Sequence, residues 1–117
     1  MHELGIADAM VKTIRRILAD EPDARLASVT VELGDLSGVV PRFLQSAWTA
    51  VIENTDYEGA VLHIHPVPAT ARCEDCGDFF VVNAEDLRCP RCRGDKLTPL
   101  SGQDFTLVEI EVGEEEA

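Results

Sequence analysis

Cys73-Glu74-Asp75-Cys76-Gly77 and Cys89-Pro90-Arg91-Cys92 use all four cysteines of the chain in two C-x-x-C pairs. Two thiolates three positions apart converge on one ion, so the paired knuckles ask for one closed tetrahedral zinc site made of Cys73, Cys76, Cys89 and Cys92. Gly77 after the first pair and Gly94 after the second are expected to supply a positive φ where the chain folds back beneath the sulfurs. The Phe79-Phe80-Val81-Val82 run followed by Asn83 reads as a short strand and turn between the knuckles. A disulfide framework is the rival reading, and neighbouring C-x-x-C pairs in a chain that shows no secretory segment fit it poorly. Four thiolates leave no position for water or substrate, which makes this zinc structural, because a catalytic zinc needs an open position. In so small a module, metal binding is expected to supply much of the folding free energy.

Outward from the cysteines, the remaining pattern is that of a small α/β unit. The spacing of Ala7, Met10, Val11, Ile14, Ile17 and Leu18 predicts an amphipathic helix over 4–19, ended by Glu21-Pro22. Residues 26–33 alternate, with Val29, Val31 and Leu33 on one face, as in a half-buried strand. After a turn over 34–38, Pro41 opens a second helix with the stripe Leu44, Ala47, Trp48, Val51 and Ile52. A second strand is expected over 60–67, with Leu62 and Ile64 inward and His63 and His65 outward, until Pro66 and Pro68 stop regular pairing. Pro99, Ser101 and Gly102 read as a linker, and residues 105–112 as a last strand with Val108, Ile110 and Val112 on one face. The fold class is therefore α+β: a small three-stranded sheet with two helices on one face, plus an inserted zinc-ribbon module with four cysteine ligands. The zinc-binding domain occupies 69–100, held at both ends by an α/β domain made of 1–68 and 101–117.

Charge narrows the partners. The formal charge of −12 is unevenly spread: residues 69–100 carry five cations against six carboxylates, while 101–117 carry six carboxylates and no cation. Such a surface repels phosphate backbones, so nucleic acid is not an expected partner. No apolar run approaches bilayer length, and the chain reads as soluble and cytoplasmic. No nucleophile stands beside a base in a recognisable motif and no phosphate-binding glycine loop appears, so no enzyme is expected.

Met1-His2-Glu3 adds a second candidate metal site. A histidine at position 2 offers an α-amine, its own backbone nitrogen and an imidazole nitrogen to one ion, a planar nitrogen set that suits nickel(II) or copper(II). Glu3 adds a backbone nitrogen or a carboxylate. Met1-His2-Glu3 ahead of an amphipathic helix, Gly34-Asp35-Leu36-Ser37-Gly38-Val39, the two C-x-x-C pairs with Gly77 and Phe80, and the alternating Val108–Val112 end together resemble the HypA/HybF family of hydrogenase maturation factors, across nearly the whole chain and in order. The resemblance implies a nickel metallochaperone that helps insert Ni(II) into the large subunit of [NiFe]-hydrogenase. It implies nickel at His2 with backbone nitrogens of the N-terminal residues, structural zinc at the four cysteines, an accessory GTPase of the HypB type as partner, and leaves a homodimer open. The chain departs mildly from the family, with Gly102-Gln103-Asp104-Phe105 before the last strand and Trp48 where phenylalanine is common.

Two other readings stand beside this one. A zinc-ribbon interaction or transcription-associated module would dock on proteins and bind no nickel. His63 and His65 share a strand face and invite a further metal site, but a third ligand is missing, and pairing with Glu109 and Glu111 across the sheet explains them without an ion.

Overall fold

The computed structural model describes residues 2–83 and 85–114. The elements run α1 (His2–Ile17), β1 (Ala24–Gly34), α2 (Pro41–Ile52), β2 (Val61–Val67), β3 (Thr70–Cys73), β4 (Phe79–Val81), β5 (Leu97–Ser101) and β6 (Phe105–Glu114). They form two three-stranded sheets, ordered β2-β1-β6 and β4-β3-β5. The chain divides into two compact units: one holds both helices with most of β1, β2 and β6, and the other holds residues 32–38 and 65–106.

In the helical unit the predicted stripes form the core except at their edges, where Ile17 is 53% exposed and Val51 is half-buried. Ala7, Met10, Val11 and Ile14 of α1 and Leu44, Ala47, Trp48 and Ile52 of α2 are buried with Val29 and Val31 of β1. Leu26 of β1 and Leu62 of β2 are buried as well, and the two helices pack on each other. α2 begins at Pro41 as expected, since proline is preset for the first helical position and its missing N–H is needed by no carbonyl there. The Trp48 indole N–H donates to the Ala60 carbonyl at 2.9 Å and the Gln45 side-chain amide donates to Leu62 O at 2.7 Å, which stitches α2 to the start of β2. Arg15 of α1 reaches the Asp56 carboxylate at 2.9 Å and lies over the Tyr57 ring, fixing the turn after α2 to the first helix.

α1 begins two residues earlier than its apolar spacing predicts, because Glu3 is drawn in. Its carboxylate accepts the Val40 N–H at 3.2 Å and lies in the first turn of α1, where the helix dipole favours negative charge. β6 departs from the expected alternation. Ile110 is half-buried, but Val108 and Val112 are 47% and 42% exposed, as an edge strand permits.

In the second unit, β5 is a strand where a linker was expected. Pro99 is compatible with it because β5 is an edge of its sheet, pairing only with β3, so the absent N–H costs no ladder bond. The segments on either side of this sheet are pinned rather than slack. Gly34 N–H donates to Asp104 O, Asp35 N–H to Val67 O and Leu36 N–H to Gly102 O, all within 3.0 Å. A β-carbon on Gly34 would fall 2.2 Å from the Gly102 oxygen, and one on Gly102 would fall 2.3 Å from Ala69 Cα. Three backbone segments thus cross at a point that only glycine allows.

Candidate metal centre

The two knuckles have the same backbone construction. Gly77 N–H donates to Cys73 O and Arg93 N–H to Cys89 O, each at 2.8 Å. Cys73 N–H returns to Asp78 O and Cys89 N–H to Gly94 O, at 2.8 and 2.9 Å. Position for position, the residue after each pair turns the chain back. Gly77 has φ 77°, and its equivalent Arg93 has φ 65°. The expectation for Gly94 is therefore corrected: the positive φ falls on Arg93, and Gly94 is small for another reason. A β-carbon there would meet the Asp75 carboxylate at 2.6 Å and the Cys92 sulfur at 3.2 Å. The equivalence was legible by counting from the cysteines. The Asp86 carboxylate holds the Arg93 guanidinium at 2.8 Å, which anchors the strained turn.

This construction brings the four sulfurs together, all within 4.8 Å of one another. Cys73 and Cys92 approach to 3.5 Å and Cys76 and Cys89 to 3.7 Å. A regular tetrahedron with metal–sulfur bonds of about 2.3 Å has edges of about 3.8 Å. The observed spacing suits four thiolates around one soft divalent cation and is far from the roughly 2.0 Å of a disulfide. All four cysteines are free, Cys73 and Cys89 buried and Cys76 and Cys92 exposed. The cluster is the one group of three or more metal-ligating side chains among the described residues.

The thiols are electrostatically inequivalent. Backbone N–H groups of Cys92 and Arg91, aided by the Cys76 thiol, lower Cys89 to about 7. At Cys92 the Gly94 amide favours the thiolate, but contact with Cys73, burial, and contact with Cys76 and Cys89 outweigh it and push the group up to about 12. Cys76 is also raised: the Asp78 amide lowers it, while burial and the neighbouring thiols prevail. Cys89 thus takes a negative charge readily, and Cys76 and Cys92 do so only when a cation neutralises them.

At the other candidate site, His2 is the first residue of α1 and is exposed, whereas Glu3 is only 8% exposed. The Val40 amide bond, then one from its own N–H, hold the Glu3 carboxyl below the usual carboxylate range. Met1 lies outside the described residues. His63 and His65 are exposed on β2, but β1 separates β2 from β6, so Glu109 and Glu111 do not face them across adjacent strands. The expected pairing is corrected accordingly, and no third ligand joins these histidines among the described residues. Glu3 bonding to Val40, a residue 37 positions away, was beyond sequence reasoning.

Residues 1–112 match the family described as hydrogenase/urease nickel incorporation, metallochaperone, hypA. The hydrogenase maturation factor HypA of Desulfosudis oleivorans is 34% identical over 97% of this chain and 100% of its own length. That of Geotalea uraniireducens is 36% identical over 96% and 99%. The hydrogenase maturation factor HybF of Salmonella typhimurium is 33% identical over 96% and 99%. In fold, the chain resembles the solution structure of the nickel metallochaperone HypA from Helicobacter pylori, with a TM-score of 0.64 and 21% identity over 97% of this chain and 98% of that one. A second HypA solution structure gives a TM-score of 0.69 at 21% identity, over 98% of each chain. With its four-thiol cluster, its exposed histidine at the head of α1 and this continuous likeness, the chain belongs to the HypA family of nickel-incorporating metallochaperones for hydrogenase maturation.

Proposed function

We propose that this chain carries Ni(II) on its amino-terminal residues and passes it to the large-subunit precursor of [NiFe]-hydrogenase, while Cys73, Cys76, Cys89 and Cys92 hold a structural zinc. His2 is the central nickel ligand, completed by nitrogens of Met1 and His2 and by Glu3. The single observation that supports the cargo site is the placing of His2. Its imidazole is exposed, and its backbone nitrogen lies in the first turn of α1, where N–H groups have no intrahelical acceptor. Both donors are thus accessible without breaking the helix. Glu3, packed and hydrogen-bonded to Val40, holds the start of the helix in place beside them.

Release follows from the same placing. The His2 imidazole is exposed, so a recipient can reach and replace it while Glu3 keeps the start of the helix in place. A zinc ion in the cluster would supply cross-linking and no chemistry, because four thiolates complete its coordination. A HypB-type GTPase as nickel source, and action in the cytoplasm without catalysis of its own, complete this reading.

The test is a nickel titration of the untagged protein beside His2→Ala and a form with residues added before Met1. Both altered forms are expected to lose nickel binding while retaining one zinc per chain. Equal nickel affinity in all three would exclude the amino-terminal site.

A further inference from the structure

We propose that the free edge of β4 is a docking strand for a client protein, receiving an extended segment in which apolar and acidic side chains alternate. The strand lies beside the four-cysteine centre, and its observations involve none of the four sulfurs. In the sheet β4-β3-β5 the strand β4 is an edge. Its register with β3 pairs Thr70 with Val81, Ala71 with Phe80 and Arg72 with Phe79. Cys73 N–H donates to Asp78 O and Val82 N–H to Ala69 O, so the even-numbered residues of β4 and its flanks turn their backbone groups toward β3. By the alternation of an antiparallel ladder, Phe79 and Val81 turn theirs outward, to the open edge.

The same two residues carry the most exposed large apolar side chains recorded in the chain, Phe79 at 65% and Val81 at 66%, and both stand on one face. Open backbone groups and exposed apolar side chains on one short strand are what strand addition uses, the first for affinity and the second for selection of alternate side chains.

Charge selects the occupant. Phe80 and Val81, from the two faces of β4, both border a cleft of about 120 Å³ that Pro90 and Arg88 also line. Asp86 of this cleft is committed to Arg93, at 2.8 and 3.3 Å. The side chain of Arg88 makes no ion pair within 4.0 Å among the described residues, but its charge, like that of Arg93, acts on Asp86, so two cations share one carboxylate and the cleft keeps one positive charge in excess. Elsewhere the chain is strongly acidic, so an acidic segment is repelled from most of the surface and finds its weakest repulsion on the nearly neutral zinc module. An added strand would lay its apolar side chains on Phe79 and Val81 and its carboxylates toward Arg88.

The probe is a fluorescein-labelled hexapeptide of alternating valine and glutamate, titrated by anisotropy against the full chain, with a valine–lysine hexapeptide as control. Binding to the first alone is expected, with slowed hydrogen exchange at the amides of Phe79 and Val81. Val81→Pro deletes one outward N–H and no ladder bond, and Arg88→Glu reverses the cation on an exposed side chain. Each is expected to weaken binding by about tenfold or more, with zinc content unchanged. Equal binding of the lysine peptide, unchanged exchange at Phe79 and Val81, or full affinity in both variants would overturn the proposal. So would self-association that Val81→Pro abolishes in a chain indifferent to the peptide, which would assign the edge to a second copy.

Discussion

Gly77, Arg93 and Gly102 all have positive φ, at 77°, 65° and 86°, and differ in what surrounds them. Gly77 has nothing within 4 Å of a notional β-carbon, so Gly77→Ala tests backbone conformation alone. It is expected to destabilise the metal-loaded protein by about 1–2 kcal/mol in denaturant titration. Gly102→Ala adds a collision with Ala69 backbone to the same conformational cost, and since backbone cannot swing aside, a loss above about 3 kcal/mol is expected. Glu3 gives the pH dependence at this scale. Its carboxyl is lowered in the folded state, chiefly by the Val40 amide, so its contribution is present above the ordinary value of 4.5 and disappears as pH falls through the folded value. The melting temperatures of the wild type and Glu3→Gln are therefore expected to differ at neutral pH and to converge below that range. A gap that widens toward acid would show that the carboxylate is not what the Val40 N–H needs.

Among the elements, α2 was the most legible, because Pro41 fixes its first residue and its stripe from Leu44 to Ile52 keeps helical period throughout. Trp48 carries much of its attachment, being 1% exposed and hydrogen-bonded to Ala60 O. Trp48→Phe removes the buried donor while keeping most of the ring, for an expected loss of about 1–3 kcal/mol, and Trp48→Ala opens a cavity costing about 3–5 kcal/mol. Thermal unfolding of the two variants separates hydrogen bonding from packing. β5 was not legible, and the reason is physical. Two of its five residues, Pro99 and Leu100, are exposed, and pairing with β3 gives the segment its extended form. The four-cysteine centre was visible in the C-x-x-C spacing, whereas the Gly34–Gly102 crossing and the Glu3–Val40 bond depend on residues far apart in sequence and left no local pattern. The slip in β6, whose Val108 and Val112 face solvent, belongs to the same class. Alternation states that one face differs from the other, but an edge strand need not bury either fully.

At the level of the whole molecule, the division into two units separates two kinds of stability. The helical unit buries Trp48, Ile14, Leu44, Val29 and Val31, a core sufficient to hold a small α/β layer. The second unit has short strands and mostly half-buried or exposed apolar residues, so the four-thiol centre has to supply what its core lacks. Zinc binding should also displace protons, since Cys92, pushed up to about 12, and Cys76, also raised, keep theirs at neutral pH until a cation arrives. Apparent zinc affinity is consequently expected to rise with pH through the neutral and mildly alkaline range, read by competition with a chromophoric chelator. Complete chelation should then collapse hydrogen-exchange protection across β3, β4 and β5. Trp48, the only tryptophan and a member of the helical unit, should keep its buried emission. If Trp48 shifts to a solvent-exposed spectrum in step with zinc loss, the units unfold together and the metal stabilises the entire chain.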